Sequence, residues 1–433
     1  MTICCFPNCA YLSETSRMIA VYKRLLAKDE KAIIATHGGT YEFVLEEEGI
    51  PFEYVTPIMS NERSQEFVAA NRGDQGLRGF GFYRIDELRE HVQSEIEFFK
   101  ENNISVVLTG FTLSNAVSTR AAGIPLAVTH LGSWVPPIFE RKMGVPGPPM
   151  IEKPLIRLIP ESWLINFYNW MMPRVKFFTK PFNGIAKELH IEPFKGIIDL
   201  MMGDLTLVTD APEVLGIPKD ELENWTPKNP KFYSRKPQLK YVGAIYAKLF
   251  GDVPEEVKAF LDTDRPKVYV ALTSSRPDYV SAVYSTLMDM DVRAIFCSTT
   301  HPKNFEKSPN ILIKKYLPAH KVMPLVDVAI IHGGQGSVQS AVASGVPVVG
   351  FPLQPEQKFN LKMIERHGAG ICLPLRILKK GNFQAVIEKI LTDNSFRTNM
   401  QRLKSFQDRY DGVENVTKAL QELARHYSKN KRE

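Results

Sequence analysis

The chain has 433 residues, 44% of them apolar and 24% charged, with a net charge of +6. That length exceeds one ordinary core and predicts two domains; the apolar share excludes a disordered chain, and no apolar run approaches the roughly 20 residues of a membrane span. The charge is mild, and no aromatic-basic repeat of the single-strand-binding kind is present, so no nucleic-acid partner is expected; the slight positive bias suits anionic ligands or an anionic membrane surface.

Five cysteines, an odd number, and a start (MTICCFPNCAYLSETSR) without the marks of a signal peptide predict a reducing, cytoplasmic setting. Cys4 and Cys5 are expected in a buried first strand rather than a metal cluster, since no matching His/Cys pair stands near.

Taken in order, Ile3 to Phe6 reads as a strand, and residues 14–28 carry Met18, Ile19, Tyr22, Leu25 and Leu26 at helical spacing. Strand patterns follow at 32–36, 52–55, 105–109 and 126–130. Residues 134–200 break the rhythm: they hold three of the four tryptophans, a Pro-rich run, and a helical stretch over 161–178. This insertion reads either as a helical subdomain packing its own aromatics, or as a hydrophobic acceptor pocket or a surface touching lipid. Arg141, Lys142, Arg174 and Lys176 flank its aromatics, which fits an interfacial helix loosely. A polar, Pro-rich stretch over 223–238 favours an extended linker. Strands restart at 267–272, 293–298, 311–316, 328–332 and 346–351. Strand and helix alternating in this way predict an α/β chain of two doubly wound parallel sheets facing across a cleft, with ligands at the carboxyl ends of the strands.

The segment from 328 to 373 carries the chemistry. A buried strand runs into His332; Gly333, Gly334, Gln335 and Gly336 follow, and Ser337 opens a helix. Glycines let backbone N–H groups approach a ligand closely and the helix N-terminus is partly positive, which together suit a diphosphate. No Gly-Lys-Ser/Thr follows, so this is not a P-loop. The next strand ends at Glu356 and Gln357, with Asn360 one turn on. A carboxylate beside an amide suits sugar hydroxyls; the plainer alternative is that the pair caps a helix.

His-Gly-Gly-x-Gly-Ser, then Gly-Val-Pro, then Pro-x-x-x-x-Gln-x-x-Asn, resembles the donor signature of nucleotide-sugar glycosyltransferases of the UDP-glycosyltransferase superfamily, in its bacterial macrolide-glycosyltransferase-like branch. The resemblance covers nearly the whole chain, including Tyr241–Gly243. It implies the GT-B fold of two Rossmann-like domains: an acceptor-binding domain over 1–235 containing the insertion, a linker over 236–262, a donor-binding domain over 263–410, and a C-terminal helix over 411–433 packing back on the first domain. It implies inverting sugar transfer from a UDP or TDP sugar to a hydrophobic acceptor, with no covalent intermediate, no essential metal and no cofactor beyond the donor itself. Membrane contact would run through 134–180.

Carried over, the resemblance puts His332, Gly333, Gly334, Gly336 and Ser337 on the diphosphate, Glu356 and Gln357 on the sugar, and Asn360 in support. Thr273 and Ser274 match a loop near the phosphate, and Tyr316 stands where the family stacks Trp on the base. Thr273 replaces a glycine, Glu356 replaces an aspartate, and Ala319 falls where Gln commonly touches the base. The family's acceptor-activating His falls at Glu14 and its Pro at Arg17, and no acid stands near Thr109 to match the supporting Asp. A buried Glu14 with a raised pKa can act as general base; alternatively it is only a first-turn helix residue. His37 and His130 end strands of the first half, and His301 ends one of the second. Two rivals to transfer are a nucleotide-sugar 2-epimerase-like enzyme and a non-catalytic partner protein keeping the fold.

Overall fold

The computed structural model describes residues 1–72, 82–148, 150–246, 248, 251–272, 275–297, 308–315, 317–380 and 383–430. The first sheet consists of β1 (Thr2–Phe6), β2 (Lys31–Thr36), β3 (Glu53–Tyr54), β4 (Ile104–Thr109), β5 (Leu126–His130), β6 (Leu205–Val208) and β7 (Gln238–Tyr241), in the order β3-β2-β1-β4-β5-β6-β7. The second consists of β8 (Lys267–Ala271), β9 (Arg293–Cys297), β10 (Ile311–Lys314), β11 (Val328–Ile331), β12 (Val348–Gly350) and β13 (Gly370–Cys372), in the order β10-β9-β8-β11-β12-β13. Every strand pair is parallel. This is the doubly wound GT-B architecture.

Successive strand residues point to opposite faces, and helices cover both, so the strands are apolar throughout. Cys4, Phe6 and Val107 enter one core while Ile3, Cys5, Val106 and Leu108 enter the other. The second sheet divides likewise, Val268 and Val270 against Tyr269 and Ala271. In both sheets the strand order reverses beside one strand pair: β1 with β4, and β8 with β11. Crevices open at the carboxyl ends there, and those ends carry residues 7–14, 110–111, 272 and 332–337.

Three strands escaped the sequence reading. β6 (LTLV) and β13 (GIC) are too short to show periodicity. β7 lies inside the stretch read as linker: Leu239 and Tyr241 are buried, so the first sheet extends to Tyr241 and the connection between sheets begins after it. The Pro-rich stretch before β7 is packed rather than free, with Trp225 donating to Glu140 at 2.9 Å. Helix α1 (Leu12–Leu26) follows β1, and helix α2 (Ile85–Glu101) precedes β4. The helix expected over 161–178 stops early: α3 runs Glu161–Met171 and gives way to a 3₁₀ turn at Pro173, where proline lacks the N–H. Two more helices, α4 (Gln335–Ser344) and α5 (Pro355–Arg366), follow β11 and β12. The last, α6 (Gly412–Asn430), sets Val416, Ala419, Leu420 and Ala424 in one core with Met18 and Leu25 of α1, and Glu414 pairs with Arg24 at 2.8 Å and with Lys28.

Candidate active site

The donor-side loop is built on backbone geometry. β11 delivers His332, and Gly333 turns the chain at φ +91°; a Cβ there would meet Leu361 Cγ at 2.6 Å and the Gln357 carbonyl at 2.7 Å. A Cβ on Gly334 would sit 2.7 Å from His332 Nε2. Gly334 is also the N-cap of α4 and offers no capping side chain, so the first-turn N–H groups of α4 need other partners. Gln335 N–H finds one in the Glu356 carboxylate. Gly336 faces the first turn of α1: its Cβ position lies 3.4 Å from Ser13 Cβ. Two helix N-termini, one from each sheet, thus meet across the cleft.

His332 is buried, and its Nδ1 lies 3.4 Å from the Ala271 carbonyl. A carbonyl only accepts, so Nδ1 carries the hydrogen and Nε2 is left as an acceptor toward the glycine loop. Burial lowers its pKa, which favours the neutral ring.

At the start of α5, Asn360 Nδ2 donates to the Gly333 carbonyl at 3.0 Å and to Glu356 Oε1 at 2.6 Å. Asn360 therefore fixes the loop and the acid at once. Gln357 Oε1 accepts from Leu353 N–H at 2.8 Å, and no acceptor among the described residues takes its amide N–H₂ group. Burial pushes the Glu356 carboxyl up to about 7, against the Asn360 and Gln335 hydrogen bonds.

The acceptor side is assembled from distant segments. Glu14, in the first turn of α1, is buried. Its Oε1 accepts from Asn8 N–H at 3.1 Å, Gly110 N–H at 3.0 Å and Phe111 N–H at 2.8 Å, while no protein donor among the described residues is recorded on Oε2. The site that lacks an acid near Thr109 is thus filled by backbone N–H groups, which clamp the Glu14 carboxylate. Burial raises its pKa, and the Phe111 and Asn8 N–H groups and Arg17 oppose the rise. Phe111 packs edge-on against Tyr11, Phe67 and Phe82, and Phe82 meets Phe178 of the insertion.

Between the halves lies a polar cluster that the sequence did not reveal. Arg17 donates to Thr129 Oγ1 at 3.4 Å and to Gln335 Oε1 at 3.0 Å, and its buried Nε has no hydrogen-bond partner among the described residues. Gln335 Nε2 donates to Thr209 Oγ1 at 3.0 Å and to Asp210 Oδ2 at 3.4 Å. Asp210 also accepts from Gly132 N–H at 2.9 Å, and burial raises its pKa against that bond. The carboxylates of Glu14, Asp210 and Glu356 all act on Arg17. Arg17 and Gln335 stood in the quoted motifs as a departure and as a variable position. The signal for Asp210 was its place after an apolar strand, LTLVTD.

His130 is buried beside Arg17, and burial and that charge bring its pKa down to about 3. His37 joins Glu95 at 2.8 Å and the Val55 carbonyl at 2.7 Å in a buried network, and its ring lies tilted by 39° to that of His91 with centroids 3.8 Å apart. One ligand atom each of His37, His91 and Glu95 lies within 4.8 Å of the others, and Glu95 also accepts from Ser114 and Ser118. Thr273, Ser274, Tyr316 and His301 lie outside the described residues.

The insertion closes over the donor side. A Cβ on Gly147 would meet Pro355 Cα at 2.5 Å, and Lys358 Nζ donates to the Pro146 carbonyl at 3.0 Å. Phe359 and Met363 of α5 share a core with Val145 and Tyr168.

With this geometry in view, the comparisons are consistent. The profile of the family described as UDP-glucoronosyl and UDP-glucosyl transferase matches residues 224–418. A PGL/p-HBAD biosynthesis glycosyltransferase of Mycobacterium tuberculosis is 27% identical over 328 residues, covering 74% of this chain and 71% of that protein. A PGL/p-HBAD biosynthesis rhamnosyltransferase of Mycobacterium bovis is 26% identical over 364 residues, covering 78% and 72%. Among solved structures, the spinosyn forosaminyltransferase SpnP superposes with a TM-score of 0.66 at 13% identity, covering 97% of this chain and 98% of its own. The glycosyltransferase VinC in complex with dTDP gives 0.64 at 13%, covering 99% and 100%.

Proposed function

We propose, from the premise that this chain belongs to the UDP-glycosyltransferase superfamily and is a GT-B glycosyltransferase using a nucleotide sugar, that it performs inverting transfer from a UDP or TDP sugar to a hydrophobic small molecule or lipid. The observation that carries this reading is the loop of Gly333, Gly334 and Gly336 between His332 and the uncapped start of α4, with Glu356 and Gln357 beside it. Backbone N–H groups there meet a diphosphate leaving group without metal help, and preorganised donors of this kind supply the largest share of many rate enhancements. Diphosphate binding protonates His332, because only the imidazolium offers Nε2–H while Nδ1–H stays on Ala271. Gln357, held by the Leu353 N–H, donates to the sugar, and Glu356, held by Asn360, accepts from it. Ser337 adds a hydroxyl; the family resemblance assigns the remaining phosphate and base roles to Thr273, Ser274 and Tyr316, which lie outside the described residues.

The acceptor enters from the first half, over Phe82, Phe111 and Phe178, and attacks the anomeric carbon in line. Glu14 Oε2 takes its proton, while Oε1 stays clamped. Solved neighbours in complex with dTDP or thymidine diphosphate, and relatives named for rhamnosyl transfer, favour a TDP sugar. Cytoplasmic location accompanies this reading.

A thermal-shift panel with UDP, TDP, GDP and ADP, with and without sugars, tests it. A ligand at 100 times its Kd stabilises the fold by about 2.7 kcal/mol. A shift with UDP or TDP is expected. No shift with any nucleotide would overturn the donor site, and a changed sugar in the absence of acceptor would replace transfer with epimerisation.

A further inference from the structure

Helix α3 presents Trp163, Phe167 and Trp170 at i, i+4 and i+7, one face of a helix, and that face is bare: Trp163 is 70% and Trp170 57% exposed. The turn before it adds Leu155 at 79% and Leu158 at 80%. Monomeric proteins rarely leave so many large apolar side chains together in water. Nor is the helix loose. Tyr168 and Asn169 on its other face are buried, and the Asn169 side chain accepts from Gly144 N–H at 2.9 Å and donates to the Gly144 carbonyl at 2.8 Å. The aromatic face is therefore held outward by a locked inner face.

The surroundings identify the occupant. Exposed Lys153, Arg157, Arg174, Lys176 and Lys180 border the patch, with Arg174 over the Trp170 ring at 4.7 Å. Across 150–180 these five bases meet two acids, Glu152 and Glu161, so the segment carries +3 (5 − 2). A two-fold pairing of this face with a second copy would oppose like charges. An anionic bilayer instead accepts Trp and Leu at the headgroup boundary and neutralises the basic rim. No described helix is long and apolar enough to cross a membrane, so the geometry is that of a helix lying in the interface.

We infer that α3 and the turn at 155–158 dock this protein on an anionic phospholipid surface. The loop locked to Asn169 reaches Pro355 at the mouth of the donor site, so docking holds the cleft beside the bilayer. The delivery of a lipid-dissolved acceptor there rests on the function proposed above; the docking does not.

The test uses the full chain with vesicles of phosphatidylcholine, with and without phosphatidylglycerol, read by cosedimentation and tryptophan emission. Binding to the phosphatidylglycerol vesicles is expected, weakened by salt, with a blue shift from Trp163 and Trp170. Trp163→Ser with Trp170→Ser should weaken partitioning roughly ten-fold or more, while melting temperature and nucleotide-induced shift stay unchanged because both side chains are exposed. Lys176→Glu with Lys180→Glu should weaken binding without removing the aromatics. Absence of vesicle binding, or equal binding by the serine variant, overturns the inference. So does a dimer in sedimentation velocity that the serine variant abolishes, which would give the face to a second copy. A failed nucleotide shift with vesicle binding intact would sink the proposed function alone.

Discussion

The two sides of the cleft are built by opposite means. The donor side comes from one stretch of chain, His332 to Asn360, in which backbone turns and two helix starts set every group, and Asn360 and the Gln335 N–H tie the loop to the acid. The acceptor side is collected from the chain near residues 8, 14, 17, 82, 110, 130, 178 and 210, and its central acid is held by N–H groups of a different strand end. A diphosphate is the same in every donor and can be met by a fixed local motif; an acceptor differs from enzyme to enzyme and is met by whatever the surrounding segments bring. The contrast predicts that damage to the donor side removes binding, whereas damage to the acceptor side removes chemistry and leaves the donor bound.

The largest expected effect breaks the acceptor side. Glu14→Gln keeps an oxygen for the Asn8, Gly110 and Phe111 N–H groups, so the fold and the nucleotide shift should survive. Turnover should fall by about 10²–10⁴-fold, the usual worth of a general base. Activity within a few-fold of the parent, at an unchanged melting temperature, would reduce Glu14 to a clamp between β1 and β4, and the acceptor would then have to be acidic enough to react unaided.

Gln357→Ala comes next, with a loss on the order of 10²-fold in kcat/KM and a weakened response to the nucleotide sugar but not to the bare nucleotide. That split is the check, since a purely structural Gln357 would lose both together. Gly333→Ala should destabilise the chain by about 2–3 kcal/mol, through backbone strain at positive φ and overlap with Leu361. Chemical denaturation measures it, and an unchanged midpoint would mean that the loop is not held as described.

Legibility followed the same divide. The sheets were readable because buried parallel strands are near-continuous apolar runs, and the donor groups because glycine, histidine and the Glu-Gln pair sit within 29 residues (332–360). β7 was lost because its polar and proline-rich flank resembles a linker, although Leu239 and Tyr241 alternate inward. Arg17 and Asp210 were not legible: nothing in the chain near either tells that Gln335, more than 100 residues from both, will bridge Arg17 to Thr209 and Asp210. The insertion was read as two alternatives, and its structure divides between them. Tyr168 and Asn169 pack inward as a subdomain would, while Trp163 and Trp170 stay in water. Sequence periodicity locates an amphipathic face but does not say whether protein or solvent covers it.

The smallest expected effect sharpens the comparison by asking whether the donor side titrates. Glu356 accepts sugar hydroxyls on both oxygens, with charge assistance, only as a carboxylate, and burial holds its carboxyl at about 7 in the free protein. Affinity for the nucleotide sugar, relative to that for the bare nucleotide, should therefore rise several-fold as pH increases through 7. His332 runs the other way: a neutral ring that must take up a proton loses diphosphate affinity as pH rises. The ratio of the two affinities cancels the histidine and isolates Glu356. Stability gives an independent sign. A folded value above the ordinary 4.5 means that the folded state holds the extra proton, so stability is fully present below that ordinary value and declines as pH rises through about 7. Glu356→Gln removes both trends, flattening the affinity ratio and this part of the stability profile. A ratio that stays pH-dependent in that variant would move the titration to Asp210, the other half-buried acid joined to Gln335, and would mean that the two sides of the cleft share one proton rather than dividing the work between them.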